Sequence, residues 1–299
     1  MAKGQGVEQQ GWLEATDGAR VALHRWPGTT TGKPALLWGH ANGFAARCYL
    51  PLLAELARDF DVWAWDARGQ GFSGLPASSE TGLDAIAGDA AMVLRHVQGE
   101  TGQVPHVASH SFSGVALLWA GLTLGLAWRS ATFFEPPLCL PAQLADAAEA
   151  ARHQARVAGT LRRRAAWPSA EVFAERLAAT PGFALMAPDA LLVLTRALLR
   201  PEGDGFTLRC APSTEAAIYR AMWDSAPFEA LRPFGVPVRF VASDGTPPAP
   251  PSSAQLPQTL AAAACGAMFS ELAGCSHLMA LERPLECAAL VRQTALGAA

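Results

Sequence analysis

The chain has 299 residues, a formal net charge of −3, 16% charged residues and 51% hydrophobic residues. This excludes the basic stripe expected of a nucleic-acid partner, and leaves ample apolar material for one large domain or one domain with an inserted lobe. No apolar run reaches the ~18 residues a membrane helix needs, since the most apolar stretch, from Val115 to Trp128, is closed by Arg129. The opening residues MAKGQGVEQQGW lack the apolar segment of a secretory leader, so a soluble cytoplasmic protein is expected. The cysteines at positions 48, 139, 210, 265, 275 and 287 form no CxxC pair and read as reduced thiols, not metal ligands.

In chain order, the first elements are two short strands, Trp12 to Thr16 and Val21 to Trp26, around an Asp17-Gly18 turn. Ala35 to Gly39 reads as a buried strand, Pro51 to Arg58 as a helix with Leu52, Leu53 and Leu56 on one face, and Asp61 to Trp65 as a second buried strand. Leu83 to Val97 is helical, Val104 to Ala108 a strand, Phe112 to Leu124 a helix and Ser130 to Phe134 a strand. From Leu138 to Leu231 the spacing is helical, with no convincing strand. The alternation then resumes: Val236 to Ala242 (strand), Ser253 to Ala263 (helix), Ala267 to Leu272 (strand) and Pro284 to Ala295 (helix), with a rigid Pro-rich loop over Thr246 to Pro251. The expectation is an α/β fold with a mostly parallel, doubly wound sheet, formed by residues 1–137 and 232–299 and interrupted by an inserted helical cap over residues 138–231.

Ligands of parallel α/β sheets bind beyond the carboxyl ends of the strands. Past those ends lie His40-Ala-Asn-Gly-Phe44, Asp66-Ala-Arg-Gly-Gln-Gly-Phe-Ser73, Ser109-His-Ser-Phe-Ser-Gly114, Glu135, Ser243-Asp244 and Gly274-Cys-Ser-His277. The set contains serines, a histidine and two carboxylates that the fold would bring together.

These segments resemble, in order, the oxyanion loop, the D-x-R-G-x-G-x-S turn, the G-H-S-x-G-G nucleophile elbow and the catalytic-histidine loop of the α/β-hydrolase family, the last supported by Glu282-Arg-Pro284. An elbow strains its central residue and needs small neighbours two positions away on each side. Ser111 meets that demand with Ser109 and Ser113, whereas Ser109 and Ser113 would each have a valine, Val107 or Val115, in one of those places. The departure is that both family glycines are serines. Ser111 is the expected nucleophile and His277 the general base. The resemblance implies an oxyanion hole from the N–H groups of Phe112 and Asn42, with the Asn42 side-chain amide as a further donor.

The triad acid has two candidates. The commonest family site follows the strand at 236–242, where the usual Asp position is Thr246 and Asp244 lies two residues early. The second family site follows the strand at 130–134, where Glu135 stands. Glu135 is preferred and Asp244 is the alternative. Asp66 and Arg68 read as a structural turn and salt bridge, and His40 as a loop brace. His110 is expected to point away from the nucleophile. Trp167, Phe173, Phe183, Met186, Tyr219, Met222 and Trp223 line an acyl pocket or form the cap's own core, and Arg162 to Arg164 form a solvated face or attract an acidic substrate.

The resemblance implies a serine hydrolase cleaving a carboxylic ester, lactone or thioester through an acyl-enzyme, without metal or organic cofactor. The expected partner is a small-molecule, apolar acyl substrate, with no nucleic acid or membrane, and a homo-oligomer is left open. Two alternatives stand beside it: a C–C bond hydrolase of the same fold, and a non-catalytic binding protein with a degenerate elbow.

Overall fold

The chain enters the structure through a hairpin of β1 (Gln9–Glu14) and β2 (Arg20–Trp26), whose turn is braced by the Ala19 N–H on Asp17 Oδ1. There follow β3 (Ala35–Gly39), α1 (Leu50–Leu56), β4 (Asp61–Trp65), α2 (Leu83–Thr101), β5 (His106–His110), α3 (Phe112–Leu124) and β6 (Ala131–Phe134). An insert then runs through α4 (Pro141–Leu144), α5 (Ala147–Leu161), β7 (Ala166–Trp167), α6 (Ala170–Ala178), α7 (Pro188–Leu198), β8 (Leu199–Glu202), β9 (Gly205–Leu208) and α8 (Pro212–Ser225). The chain returns with β10 (Val238–Ser243), α9 (Gln255–Cys265), β11 (Met268–Leu272), α10 (Met279–Glu282) and α11 (Pro284–Leu296). This is a computed structural model, and it describes residues 8–27, 32–76, 81–225, 227–244 and 255–297. The expected Pro-rich loop from Thr246 to Pro251, and the first residues of the helix expected from Ser253, lie outside the described residues.

Eight strands form one sheet in the order β1-β2-β4-β3-β5-β6-β10-β11. The β1–β2 and β2–β4 pairs are antiparallel and all others parallel. Successive side chains of a strand point to opposite faces, so a sheet covered on both sides needs apolar residues at every position. The central strands show this: Leu36, Trp38, Val62 and Ala64 belong to one buried cluster, while Ala35, Leu37, Trp63 and Trp65 belong to the other. Burying such a Leu or Trp side chain contributes on the order of 2 kcal/mol or more each.

Several sequence expectations change, and the first strand runs over Gln9–Glu14 and not Trp12 to Thr16. β5 starts at His106 and not Val104, because Pro105 has no N–H to give a ladder, and the strand continues to His110, opposite Phe134. The insert is not wholly helical: β7, β9 and β8 form a small antiparallel sheet. Strands of two to four residues are too short to show a period of two in sequence.

The insert is anchored on both sides of the sheet. Trp167, Phe173, Met186, Leu191 and Leu194 join the cluster that contains Tyr49 and Met279, while Ile218 and Met222 of α8 join the cluster that contains Phe112. Among the described residues no helix is long and apolar enough to cross a membrane.

Candidate active site

β3, β4, β5, β6 and β10 all end at the same edge of the sheet, and the segments leaving those ends meet there. Directly after β5 the chain turns sharply into α3, and Ser111 sits in the turn at φ 57° and ψ −124°. A non-glycine residue in this region is strained, and the surrounding contacts must hold it. Ser111 N–H donates to Phe134 O at 2.8 Å, and Ser111 O accepts from Gly114 N–H at 2.9 Å.

The small-residue demand of this turn is met across the contact. A Cβ on Gly39 would lie 2.5 Å from Ser113 Cβ, and one on Gly114 would lie 3.1 Å from Ser109 Oγ. Each serine that stands where the family has glycine therefore faces a glycine. Ser113 Oγ donates to His40 O at 2.6 Å, whereas the buried Ser109 Oγ has no partner among the described residues.

Ser111 Oγ lies 3.1 Å from His277 Nε2, and His277 Nδ1 lies 2.7 Å from Glu135 Oε2. A carboxylate only accepts, so Nδ1 carries the proton and Nε2 is free to accept from the serine hydroxyl. Ser111 is 8% exposed, while the His277 side chain is 48% exposed, so the hydroxyl is recessed beside an open imidazole.

Glu135 follows β6 at φ 42°, a second strained non-glycine residue. Its N–H donates to Val241 O, and the Gln258 side chain holds the carbonyl of Pro136. Its other carboxylate oxygen, Oε1, accepts from Ser243 N–H at 2.7 Å and Ser243 O–H at 2.6 Å. Burial opposes its charge, but the hydrogen bonds from His277 and Ser243 outweigh burial and hold its pKa at about 2. Asp244 is exposed and takes a different place: its Oδ2 accepts from Gly274 N–H at 3.0 Å, steadying the loop that carries His277. The same loop is braced by Glu282, which accepts from Ser276 N–H at 2.7 Å, and by Arg283, which donates to Gly274 O.

On the other side of Ser111 lies the loop after β3. Among the described residues no acceptor faces the backbone N–H of Asn42, or that of Phe112 at the start of α3. Orphan donors at a helix start are available to an anion. The Asn42 side chain is engaged elsewhere, donating from Nδ2 to Glu215 O of α8 at 2.9 Å. Glu215 is buried with its carboxylate on Arg163 at 2.6 Å, and burial pushes its pKa up despite that partner.

His40 bridges Ala41 O and Ala67 N–H, as expected of a brace. His110 packs against the other expected catalytic residue: its ring lies 4.9 Å from that of His277, and Nε2 bonds His277 O at 2.7 Å. Asp66 accepts from Ala46 N–H, Phe72 N–H and His24, and Arg68 pairs with Asp89 and Asp17. Of the three expected basic residues, Arg163 is paired with Glu215, Arg164 stacks over Trp167, and Arg162 is exposed to solvent. Trp167 and Phe173 stack on each other and, like Met186, Tyr219 and Met222, pack in the cores. Sequence reading missed Tyr49, Ser243 and Gln258; only Ser243 left a trace, as a small polar residue at a strand end beside the other acid candidate. Among the described residues no group of three His, Cys, Asp or Glu is placed to hold a metal ion.

The chain is similar to several solved structures at low identity, which speaks to the fold. E-2-(acetamidomethylene)succinate hydrolase superposes with a TM-score of 0.76 at 17% identity, over 96% of this chain and 99% of that one. The thioesterase domain from the curacin biosynthetic pathway gives 0.71 at 17% identity, over 96% and 99%. A thermophilic esterase from Thermogutta terrifontis gives 0.67 at 18% identity, over 95% and 97%. No curated protein matches the sequence. The family described as "Alpha/beta hydrolase family" matches residues 35–290, most of the chain, and the eight-stranded sheet agrees with it: the chain belongs to the alpha/beta hydrolase family.

Proposed function

We propose that the protein is a serine hydrolase that cleaves a carboxylic ester, lactone or thioester. The observation that carries this is the continuous chain from Ser111 Oγ through the His277 imidazole to the Glu135 carboxylate, at 3.1 and 2.7 Å. In the proposed mechanism Ser111 attacks the carbonyl carbon and its proton passes to His277 Nε2. The imidazolium is stabilised by ionised Glu135, and the N–H groups of Phe112 and Asn42 receive the oxyanion. His277 returns the proton to the leaving alcohol or thiol, and water then repeats the sequence on the acyl-enzyme. No metal or organic cofactor enters these steps.

Residues 138–231 act as the cap in this reading, and the substrate is a small apolar acyl compound. These steps need no membrane or nucleic-acid partner, and a cytoplasmic location suits the free cysteines. The test is a fluorophosphonate probe with mass spectrometry of the adduct. An adduct on Ser111, lost in Ser111→Ala together with turnover of p-nitrophenyl esters, supports the reading. Unlabelled Ser111 in folded protein overturns it and favours a non-catalytic binding protein.

A further inference from the structure

Three loops must hold their relative positions for the proposed chemistry, and one buried chain of hydrogen bonds joins all three. Ala41 N–H, next to the oxyanion donor Asn42, lies 3.1 Å from Tyr49 Oη. Tyr49 Oη lies 2.7 Å from His110 Nδ1, and His110 Nε2 lies 2.7 Å from His277 O. Tyr49 and His110 are fully buried, so each polar atom needs its partner.

The directions are fixed by the ends. A carbonyl only accepts, so His110 Nε2 carries the proton and Nδ1 is bare. Nδ1 therefore accepts from the Tyr49 hydroxyl, and the Tyr49 oxygen in turn accepts from Ala41 N–H. Every donor and acceptor is used once, and only with His110 neutral. Protonating it would turn Nδ1 into a donor and leave the Tyr49 proton without this acceptor. Burial and the neighbouring His277 keep it neutral, with its pKa lowered to about 3.

His40 completes the geometry from beneath. Its Nδ1–H donates to Ala41 O at 2.7 Å, while its Nε2 accepts from Ala67 N–H at 2.9 Å. The peptide plane is rigid, so pinning Ala41 O also aims the Asn42 N–H that shares that plane.

We infer that Tyr49 and His110 are positioning residues that lock the oxyanion loop, the nucleophile turn and the backbone of His277 to one another. This inference rests on the serine-hydrolase reading above. Tyr49 bonds Ala41 and His110, not Ser111 or His277, and His110 meets His277 through the His277 backbone carbonyl and one ring face. They act through Ala41 and His277, so their loss is expected in the rate of the chemical step and not in substrate binding.

The experiment compares the rate of fluorophosphonate labelling of Ser111, and kcat and KM for p-nitrophenyl acetate, in wild type, Tyr49→Phe, His110→Ala, His110→Gln and His110→Asn. Tyr49→Phe is expected to slow labelling and kcat about ten- to hundred-fold, the size of effect that small misplacement of catalytic groups produces. KM should stay within about two-fold, because ground-state binding is untouched. Gln carries its amide to the place of Nε2 and keeps the donor to His277 O; Asn carries it near Nδ1 and keeps an acceptor for Tyr49. Each should exceed His110→Ala and fall short of wild type.

Wild-type Ser111 that does not label would sink both the hydrolase reading and the relay. Wild-type labelling with an unchanged rate in Tyr49→Phe, or a loss confined to KM, would overturn the relay alone. Should the variants not fold, ¹⁵N NMR of wild-type His110 decides: a neutral Nε2–H tautomer at pH 6 supports the relay, and an Nδ1–H tautomer or an imidazolium overturns it.

Discussion

Glu135 and Asp244 lie at the ends of neighbouring strands, and only one of them reaches the His277 ring. On the proposed mechanism, Glu135→Gln is expected to lower kcat roughly 10³- to 10⁴-fold, by losing the charge that orients and stabilises the imidazolium. Asp244→Asn keeps an acceptor for Gly274 N–H and should change kcat by less than about three-fold, as surface substitutions do. Ester turnover of the two variants, measured side by side, checks the pair. Ser111 and His277 were legible in the sequence because each sits inside a motif with its own steric logic. The acid was legible only as a preference for Glu135 over Asp244, because distance along the chain does not say which of two strand ends faces the ring. Ser243 makes the difference: its N–H and hydroxyl hold one oxygen of Glu135 and so present the other to His277.

The elements that could be read from sequence were those long enough to carry a period. β3 and β4 lie over the residues their apolar runs mark, while β7 to β9 left no signal, and Pro105 displaced the start of β5. Sequence does not show how elements are tied, and the hairpin gives an example. His24 of β2 is fully buried between Glu8, at 2.7 Å, and Asp66 beyond β4, at 3.0 Å. Burial alone would lower its pKa, but the hydrogen bonds to Asp66 and Glu8 outweigh it and raise the value to about 9. A raised folded pKa contributes stability that is fully present below the unfolded value of roughly 6.5 and is lost as pH climbs through the folded value. Thermal melts are therefore expected to show a midpoint that declines between about pH 7 and 10. His24→Gln should flatten that alkaline decline and lower the midpoint at neutral pH; an unchanged slope would refute the assignment of charge to His24.

At the scale of the molecule, the insert is fastened to the sheet through two apolar cores and, among the described residues, a polar tie at the loop after β3. The tie is short: Asn42 holds the Glu215 carbonyl, and Arg163 holds the Glu215 carboxylate. Removing a partner from a buried charge costs more than the pair itself contributes. Arg163→Ala is thus expected to lower the melting temperature and slow ester turnover, with Glu215→Gln in the same chain recovering part of the stability. Equal melting of the single and double variants would show that the tie has no such role.

Ser113 faces Gly39 and Ser109 faces Gly114, so the steric requirement at the Ser111 turn is a sum over two surfaces. It cannot be written as a string of letters along one of them. A pattern search that insists on glycine two places before and after Ser111 scores this chain as defective, although a glycine faces each of the two serines. The exchange should also run in reverse. A methyl group placed at position 39 has no room while Ser113 keeps its Cβ. Gly39→Ala should therefore be poorly tolerated alone and recover when Ser113→Gly is added, the turn accepting either distribution of atoms but not both serine and alanine at once.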